Sequence, residues 1–397
     1  GRLGGRPRRP PEAGRMGANC CASASIGCLF CCQGCNAEKL RNAFTFLPPA
    51  PSYAVVPDES GSPGGDAKKL QYLSETLQGF VSYRQAAEQA EVHIVRTGRG
   101  ERIPLVWVRH TASSSSSAWA RGRPPARAPP PLVLLHCHGN ATDIGMMMGP
   151  FFEMSKHLGC EVLGVEYTGY GASSGAPSER NALADAEAAY DFAVERGGVP
   201  PERIVAYGQS VGSGPALSLA ASRRVGGVVL HSPMLSGIKV IDPQPDSCCR
   251  PSCVYCCLDF FGNDQWVKTV TGPVFVIHGQ IDDIIPWYHG ARLSQMAPKH
   301  CQWPGYFPRD AGHNDIVETN PQAYFGAVSA FMQGVQERAD GKGATAPPGA
   351  VGIGKPALYE MSMSAFGAHE GLSFAEPAAG PDDGRYEQLR RGQGPRS

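Results

Sequence analysis

The segment Gly208-Gln209-Ser210-Val211-Gly212 has the residue types a nucleophilic serine needs. Small residues flank the serine, so a tight strand-to-helix turn can close and lift its hydroxyl out of the chain. A serine presented this way needs a base and an orienting acid, which in such folds follow in the order serine, carboxylate, histidine. The order is met downstream by His278-Gly279-Gln280-Ile281-Asp282-Asp283 and then by Ala311-Gly312-His313-Asn314-Asp315. His313 is the candidate base, and Asp282 or Asp283 the candidate acid that holds the imidazole. Upstream, His138-Gly139-Asn140 follows an apolar strand and could supply one backbone N–H to a developing oxyanion. The N–H groups of Asn140 and Val211 are the candidate oxyanion hole, with Ala141 as alternative to Asn140. Taken alone, each feature has a plainer reading: a Gly/Ser turn, a solvated loop carboxylate, a helix-capping histidine, a tight turn at His138-Gly139. Their joint order favours chemistry. His136, His231 and His278 read as structural strand-end residues.

The elements that must position these groups are visible as apolar strands alternating with helices. Residues 131–136, 162–167, 203–207, 227–231 and 274–278 are nearly continuous apolar runs, as strands buried on both faces require. Residues 179–195 are Ala-rich and helical in pattern, and 213–221 form a small-residue helix directly after the elbow. Residues 91–95 and 102–108 alternate as a strand pair turned through Gly98 and Gly100. The pattern predicts a mostly parallel central sheet covered by helices on both faces, and the serine elbow set between strand and helix makes the expected frame an α/β-hydrolase fold. It divides the chain into a Cys-rich anchor and Pro/Gly/Ser linker over 1–79, a catalytic domain over 80–337 and a disordered tail over 338–397. Within the domain, 111–130 reads as a disordered insertion and 236–266 as a lid-like one.

The chain has 397 residues with 36 basic and 36 acidic side chains. That length holds a full core, and a net charge of zero argues against nucleic acid as a partner. Gly and Pro number 49 and 35, in keeping with a globular core carrying low-complexity pieces. No apolar run reaches the ~18 residues of a membrane span. The triad chemistry calls for no cofactor and no metal.

The 14 cysteines fall mostly in clusters. Cys20, Cys21, Cys28, Cys31, Cys32 and Cys35 lie together, and Cys248 to Cys257 hold a second group. The length and the lack of a basic-then-apolar leader predict a reducing, cytosol-facing compartment, which disfavours disulfides. Zinc fits the CC doublets poorly, and no histidine is near. S-acylation of the first cluster remains: one lipid binds a membrane marginally, two or more hold. Met16-Gly17 reads as a natural start, but Cys21 stands where N-myristoylation prefers Ser or Thr. The second cluster has no single reading among acylation, metal binding and packing.

Together these residues resemble the α/β-hydrolase-domain 17 family of membrane-anchored serine hydrolases that remove palmitate from proteins. The resemblance is carried by Phe46-Leu47-Pro48-Pro49, His138-Gly139-Asn140-Ala141, Tyr167 to Gly175, and Pro177-Ser178-Glu179-Arg180-Asn181. It continues through Tyr207-Gly208-Gln209-Ser210, Leu230-His231-Ser232-Pro233 and Ala311 to Asp315. It implies Asp282, the first of the pair, as the acid. It also implies S-palmitoylated proteins as substrates and a lipid-anchored place on the cytoplasmic face of plasma or endosomal membranes. The insertion at 111–130, the cysteines at 248–257 and the tail depart from the family pattern. A small-ester or lipid esterase, or a catalytically silent membrane scaffold, would share the fold.

Overall fold

The computed structural model describes residues 37–58, 67–110, 131–240 and 259–342, all within one compact unit. The six N-terminal cysteines, Met16-Gly17, Cys248 to Cys257, the 111–130 insertion and the tail beyond 342 lie outside the described residues.

The strands are β1 (Tyr53–Pro57), β2 (Lys68–Tyr72), β3 (Ala90–Arg96), β4 (Arg102–Val108) and β5 (Val133–Cys137). β6 (Glu161–Val165), β7 (Ile204–Gln209), β8 (Gly227–His231) and β9 (Val274–Ile277) follow. Among the described residues they form one sheet in the order β1-β2-β3-β4-β6-β5-β7-β8-β9. β6, β5, β7, β8 and β9 pair in parallel, and β1 to β4 join them antiparallel. The predicted strands are all present, because five-residue runs with every side chain buried can only sit in the middle of such a sheet.

The helices that matter for the site are α1 (Ala37–Thr45), α2 (Val81–Gln89), α3 (Ile144–Leu158) and α4 (Glu179–Asp191). They continue with α5 (Ser213–Ser222), α6 (Tyr288–Met296) and α7 (Pro321–Ala339). Their starts are written in the sequence. Asp143 caps α3 by accepting from Met146 N–H, Ser178 caps α4 through Asn181 N–H, and Asn320 caps α7 through Ala323 N–H. Gly159, with φ 61°, closes α3 in the left-handed conformation that favours glycine.

Alternation along the strands splits the core into two layers. Leu135, Leu163, Ala206 and Val228 pack with Ala182, Ala186 and Leu217 of α4 and α5. Leu134, Val162, Val205, Val229 and Phe275 pack on the other face with Met148 and Phe151 of α3 and Phe331 of α7. Fully burying one such side chain stabilises by about 1.5–3 kcal/mol. Phe331 lies stacked on Phe275, so the last helix is fastened to the last strand.

The domain boundaries expected from sequence are corrected at both ends. Residues 37–79 are not merely anchor and linker: α1 packs on the domain, and β1 and β2 extend the sheet. Tyr53 is 1% exposed and donates its hydroxyl to Glu166 Oε2 at 2.9 Å, which fixes β1 to the centre of the molecule. β1 ends in Pro57 and β2 begins with lysines, a composition suited to edge strands and easily taken for linker. At the other end α7 continues past 337 to Ala339, and Asp340 closes an ion pair with Arg203.

Candidate active site

β5, β7 and β9 point the same way, so the loops leaving them meet at one edge of the sheet. The loop after β5 carries His138 to Ala141, the turn after β7 carries Ser210, and the loop after β9 carries Asp282. The carboxyl edge is where α/β sheets place their reacting groups.

Ser210 opens a tight 3₁₀ turn between β7 and α5 with φ 52°, a conformation costly for a side-chain-bearing residue. Ser213 Oγ donates to Ser210 C=O at 2.6 Å and locks the turn. The flanking glycines are required by close approach. A Cβ on Gly208 would lie 2.7 Å from Ser213 Cα, and one on Gly212 would overlap the carbonyl oxygen of Cys137 and meet that of His138 at 2.6 Å. The same contacts seat the end of β5, at Cys137 and His138, directly on the turn that carries Ser210.

His313 Nε2 lies 3.0 Å from Ser210 Oγ, and its Nδ1 lies 2.7 Å from Asp282 Oδ2. A neutral imidazole protonated at Nδ1 satisfies both contacts: it donates to the carboxylate and accepts from the serine hydroxyl. Asp282 is 8% exposed, whereas Asp283 is exposed and takes no part in the contact. Burial alone would raise the Asp282 pKa. Hydrogen bonds from His278 and His313, with the backbone N–H of Ile285, outweigh it and hold the group below the usual carboxylate range. Ile284 and Ile285 N–H donate to Oδ1 at 3.0 and 2.8 Å.

His278, expected as a structural strand-end residue, has its Nε2 3.0 Å from Asp282 Oδ2 and 2.8 Å from Ile285 C=O, and so supports the acid. It is fully buried against Gly290 of α6, where a Cβ would come 2.6 Å from its Nδ1. Its spacing of four residues from Asp282, across the turn that ends β9, was the available signal. His231 Nδ1 lies 2.6 Å from Tyr207 Oη. Burial, and then the positive charge available to His313 and His278, pushes His231 down to about 3, so it stays neutral. His136 stacks on Tyr207 at 4.5 Å. Both serve the core.

His138 is fully buried, with Nε2 3.0 Å from Glu166 Oε1 and Nδ1 2.8 Å from Gly139 C=O. Glu166 Oε2 in turn accepts from Tyr53 Oη and from Ile144 N–H at 3.0 Å. The alternative oxyanion donor, Ala141 N–H, points instead to Asn140 Oδ1 at 3.1 Å. The cysteines among the described residues, Cys137, Cys160 and Cys301, are buried and free. Among the described residues no three His, Cys, Asp or Glu side chains are arranged to hold a metal, and no helix is long and apolar enough to cross a membrane.

A serine on a strained strand-to-helix turn, an imidazole on its hydroxyl and a buried carboxylate on that imidazole can together open an acyl bond. With this sheet order they define an α/β-hydrolase, and the profile described as "alpha/beta hydrolase fold" matches residues 130–247. Alpha/beta hydrolase domain-containing protein 17B of Xenopus laevis and that of Homo sapiens are each 35% identical over 295 residues. Each alignment covers 74% of this chain and 91% of the relative. Alpha/beta hydrolase domain-containing protein aho-3 of Caenorhabditis elegans is 33% identical over 307 residues, covering 77% of this chain and 81% of the relative. The chain belongs to the α/β-hydrolase domain-containing protein 17 family.

Proposed function

We propose that this hydrolase cleaves S-palmitoyl-cysteine thioesters on membrane-associated proteins. The contact sequence Ser210–His313–Asp282, at 3.0 and 2.7 Å, carries the reading. Ser210 Oγ attacks the thioester carbonyl while His313 Nε2 takes its proton, and the oxyanion forms against the N–H groups of Asn140 and Val211. The C–S bond then breaks, and the imidazolium returns the proton to the leaving thiolate. A water deprotonated by His313 opens the acyl-serine, releasing the fatty acid and restoring the hydroxyl. Asp282 stays ionised throughout and stabilises the imidazolium.

The exposed apolar residues favour a fatty acyl group over a peptide. Leu47, Ile281 and Ile284 are 55%, 62% and 53% exposed, and each lies in a loop that touches a site residue. Ile281 precedes Asp282 directly, and Leu47 N–H donates to Asn140 Oδ1. Such side chains can line the path of a long hydrocarbon or rest on lipid. The thioesters to be reached lie at the headgroup level. In this reading acylation of Cys20, Cys21, Cys28, Cys31, Cys32 and Cys35 holds the enzyme on the cytoplasmic face of plasma or endosomal membranes. At least two chains are needed, since each buried CH₂ contributes about 0.8 kcal/mol.

The test compares the purified enzyme on an S-palmitoyl-cysteine peptide, its O-palmitoyl-serine analogue and the S-acetyl peptide. The proposal predicts the highest kcat/KM on the palmitoyl thioester. A preference for the acetyl substrate would make the protein a small-ester esterase, and no turnover of any would leave it a silent scaffold.

A further inference from the structure

The side-chain amide of Asn140 joins elements far apart in sequence. Its Oδ1 accepts from Leu47 N–H at 2.9 Å, Ala141 N–H at 3.1 Å and Tyr170 Oη at 2.8 Å. Its Nδ2 donates to Thr45 C=O at 2.6 Å. The orientation of the amide is fixed by these partners, because a flip would set an NH₂ against two N–H donors and an oxygen against a carbonyl. Ala141, the next residue, is held at φ 53°, a left-handed conformation that a non-glycine residue keeps only when its surroundings impose it.

The segment gripped by Asn140 is itself fastened on its far side. Arg41 Nη1 donates to Asp259 C=O at 3.1 Å, and its Nη2 lies 3.6 Å from Glu179 Oε2. Phe46 is buried edge-on against Phe261, with ring centroids 6.1 Å apart. Phe261 N–H donates to Glu179 Oε1 at 2.7 Å, and the Phe261 ring lies so close to Gly214 of α5 that a Cβ there would overlap it. Residues 41–47 therefore bridge the loop after β5 to α5, the helix that begins just beyond the Ser210 turn.

We propose that Asn140 is a positioning residue. Its side chain uses residues 41–47 as a brace to aim its own backbone N–H at the oxyanion, so that this N-terminal segment is part of the catalytic apparatus. The proposal rests on the reading of Ser210 as nucleophile and of the loop after β5 as oxyanion donor. It also gives α1 a second duty. A single residue, Asn36, separates Cys35 from α1, so the cysteine cluster connects to a segment that reaches the site.

The test uses the full chain with three substitutions, Asn140→Ala, Tyr170→Phe and Arg41→Ala, assayed on p-nitrophenyl butyrate and with an alkyl boronic acid that mimics the tetrahedral adduct. Removing an oxyanion donor outright costs roughly 10²–10³-fold in kcat. Misaiming one should cost a part of that, about 10- to 100-fold for Asn140→Ala and less for the other two, with KM within about twofold. Boronate affinity should fall in step with kcat. Backbone amide exchange gives a second readout that needs no turnover. Leu47 and Ala141 N–H should exchange faster in Asn140→Ala, and Ala141 N–H should also do so in Arg41→Ala, which leaves the amide in place. If Asn140→Ala does not fold, the other two variants decide the matter. Unchanged kcat and boronate affinity in folded variants, or Ala141 exchange indifferent to Arg41→Ala, would overturn the brace. A parent enzyme that neither turns over the ester nor binds the boronate would defeat the proposed function instead, while the exchange data still judge the coupling.

Discussion

His278 Nε2 and His313 Nδ1 both face the same oxygen of Asp282, Oδ2, at 3.0 and 2.7 Å. With Ile284 and Ile285 N–H on Oδ1, the carboxylate is held from both ends and cannot rotate away from His313. A buried acid held this way is kept ionised by its partners rather than by water, which explains why its pKa falls despite burial.

Asp282→Asn should therefore reduce kcat by about 10³–10⁴-fold, since the amide can present its NH₂ to His313 and select the wrong tautomer. Asp283→Asn, at an exposed position outside this network, should stay within about threefold of the parent. His278→Gln should lie between the two, because Asp282 keeps its N–H donors but loses one imidazole. Steady-state kinetics on one soluble ester suffices. A greater loss in Asp283→Asn than in Asp282→Asn would move the acid to the neighbouring position and leave the fold untouched.

A second buried carboxylate, Asp185 of α4, behaves in the opposite sense. It accepts from Thr168 N–H and Oγ1 at 2.7 and 2.8 Å, yet burial dominates and pushes it up to about 7, helped by Glu166 and Glu101. Between its ordinary range near 4 and about 7 the folded state keeps a proton that the unfolded chain has released. The contribution to stability is thus fully present below about pH 4 and is lost as pH rises toward 7. Urea unfolding should show the parent losing stability relative to Asp185→Asn over that window, by at most about 1.4 kcal/mol per pH unit. A difference that does not vary between pH 5 and pH 8 would contradict the assignment.

What the sequence made legible follows from how local each signal is. β5 to β9 are short, uniformly apolar runs, and Ser210, Asp282 and His313 sit in loops whose order along the chain is diagnostic. The side chain of Asn140 is the less legible part, because it makes contacts 93 and 95 residues away that no local pattern encodes. β1 and β2 escaped for a physical reason too: edge strands carry lysine and proline, and their burial rests on two tyrosines and one leucine.

Changing Cys20, Cys21, Cys28, Cys31, Cys32 and Cys35 together to serine should shift the protein from membrane to cytosol on fractionation. Hydrolysis of a small soluble thioester should be retained, because the substitutions leave Arg41, Thr45 and Leu47 and their contacts with the site in place. Removal of palmitate from cellular proteins should fall through lost proximity. A variant that still pellets with membranes would show that the anchor lies elsewhere.

The most direct measurement of the central claim is mass mapping of the enzyme quenched during turnover of an S-palmitoyl peptide, with Ser210→Ala run in parallel. The account predicts a palmitoyl ester on Ser210 Oγ in the parent, with no adduct and a loss of at least about 10³-fold in kcat in the variant. An acyl group found on another residue, or a Ser210→Ala protein that turns over at a rate within tenfold of the parent, would contradict it.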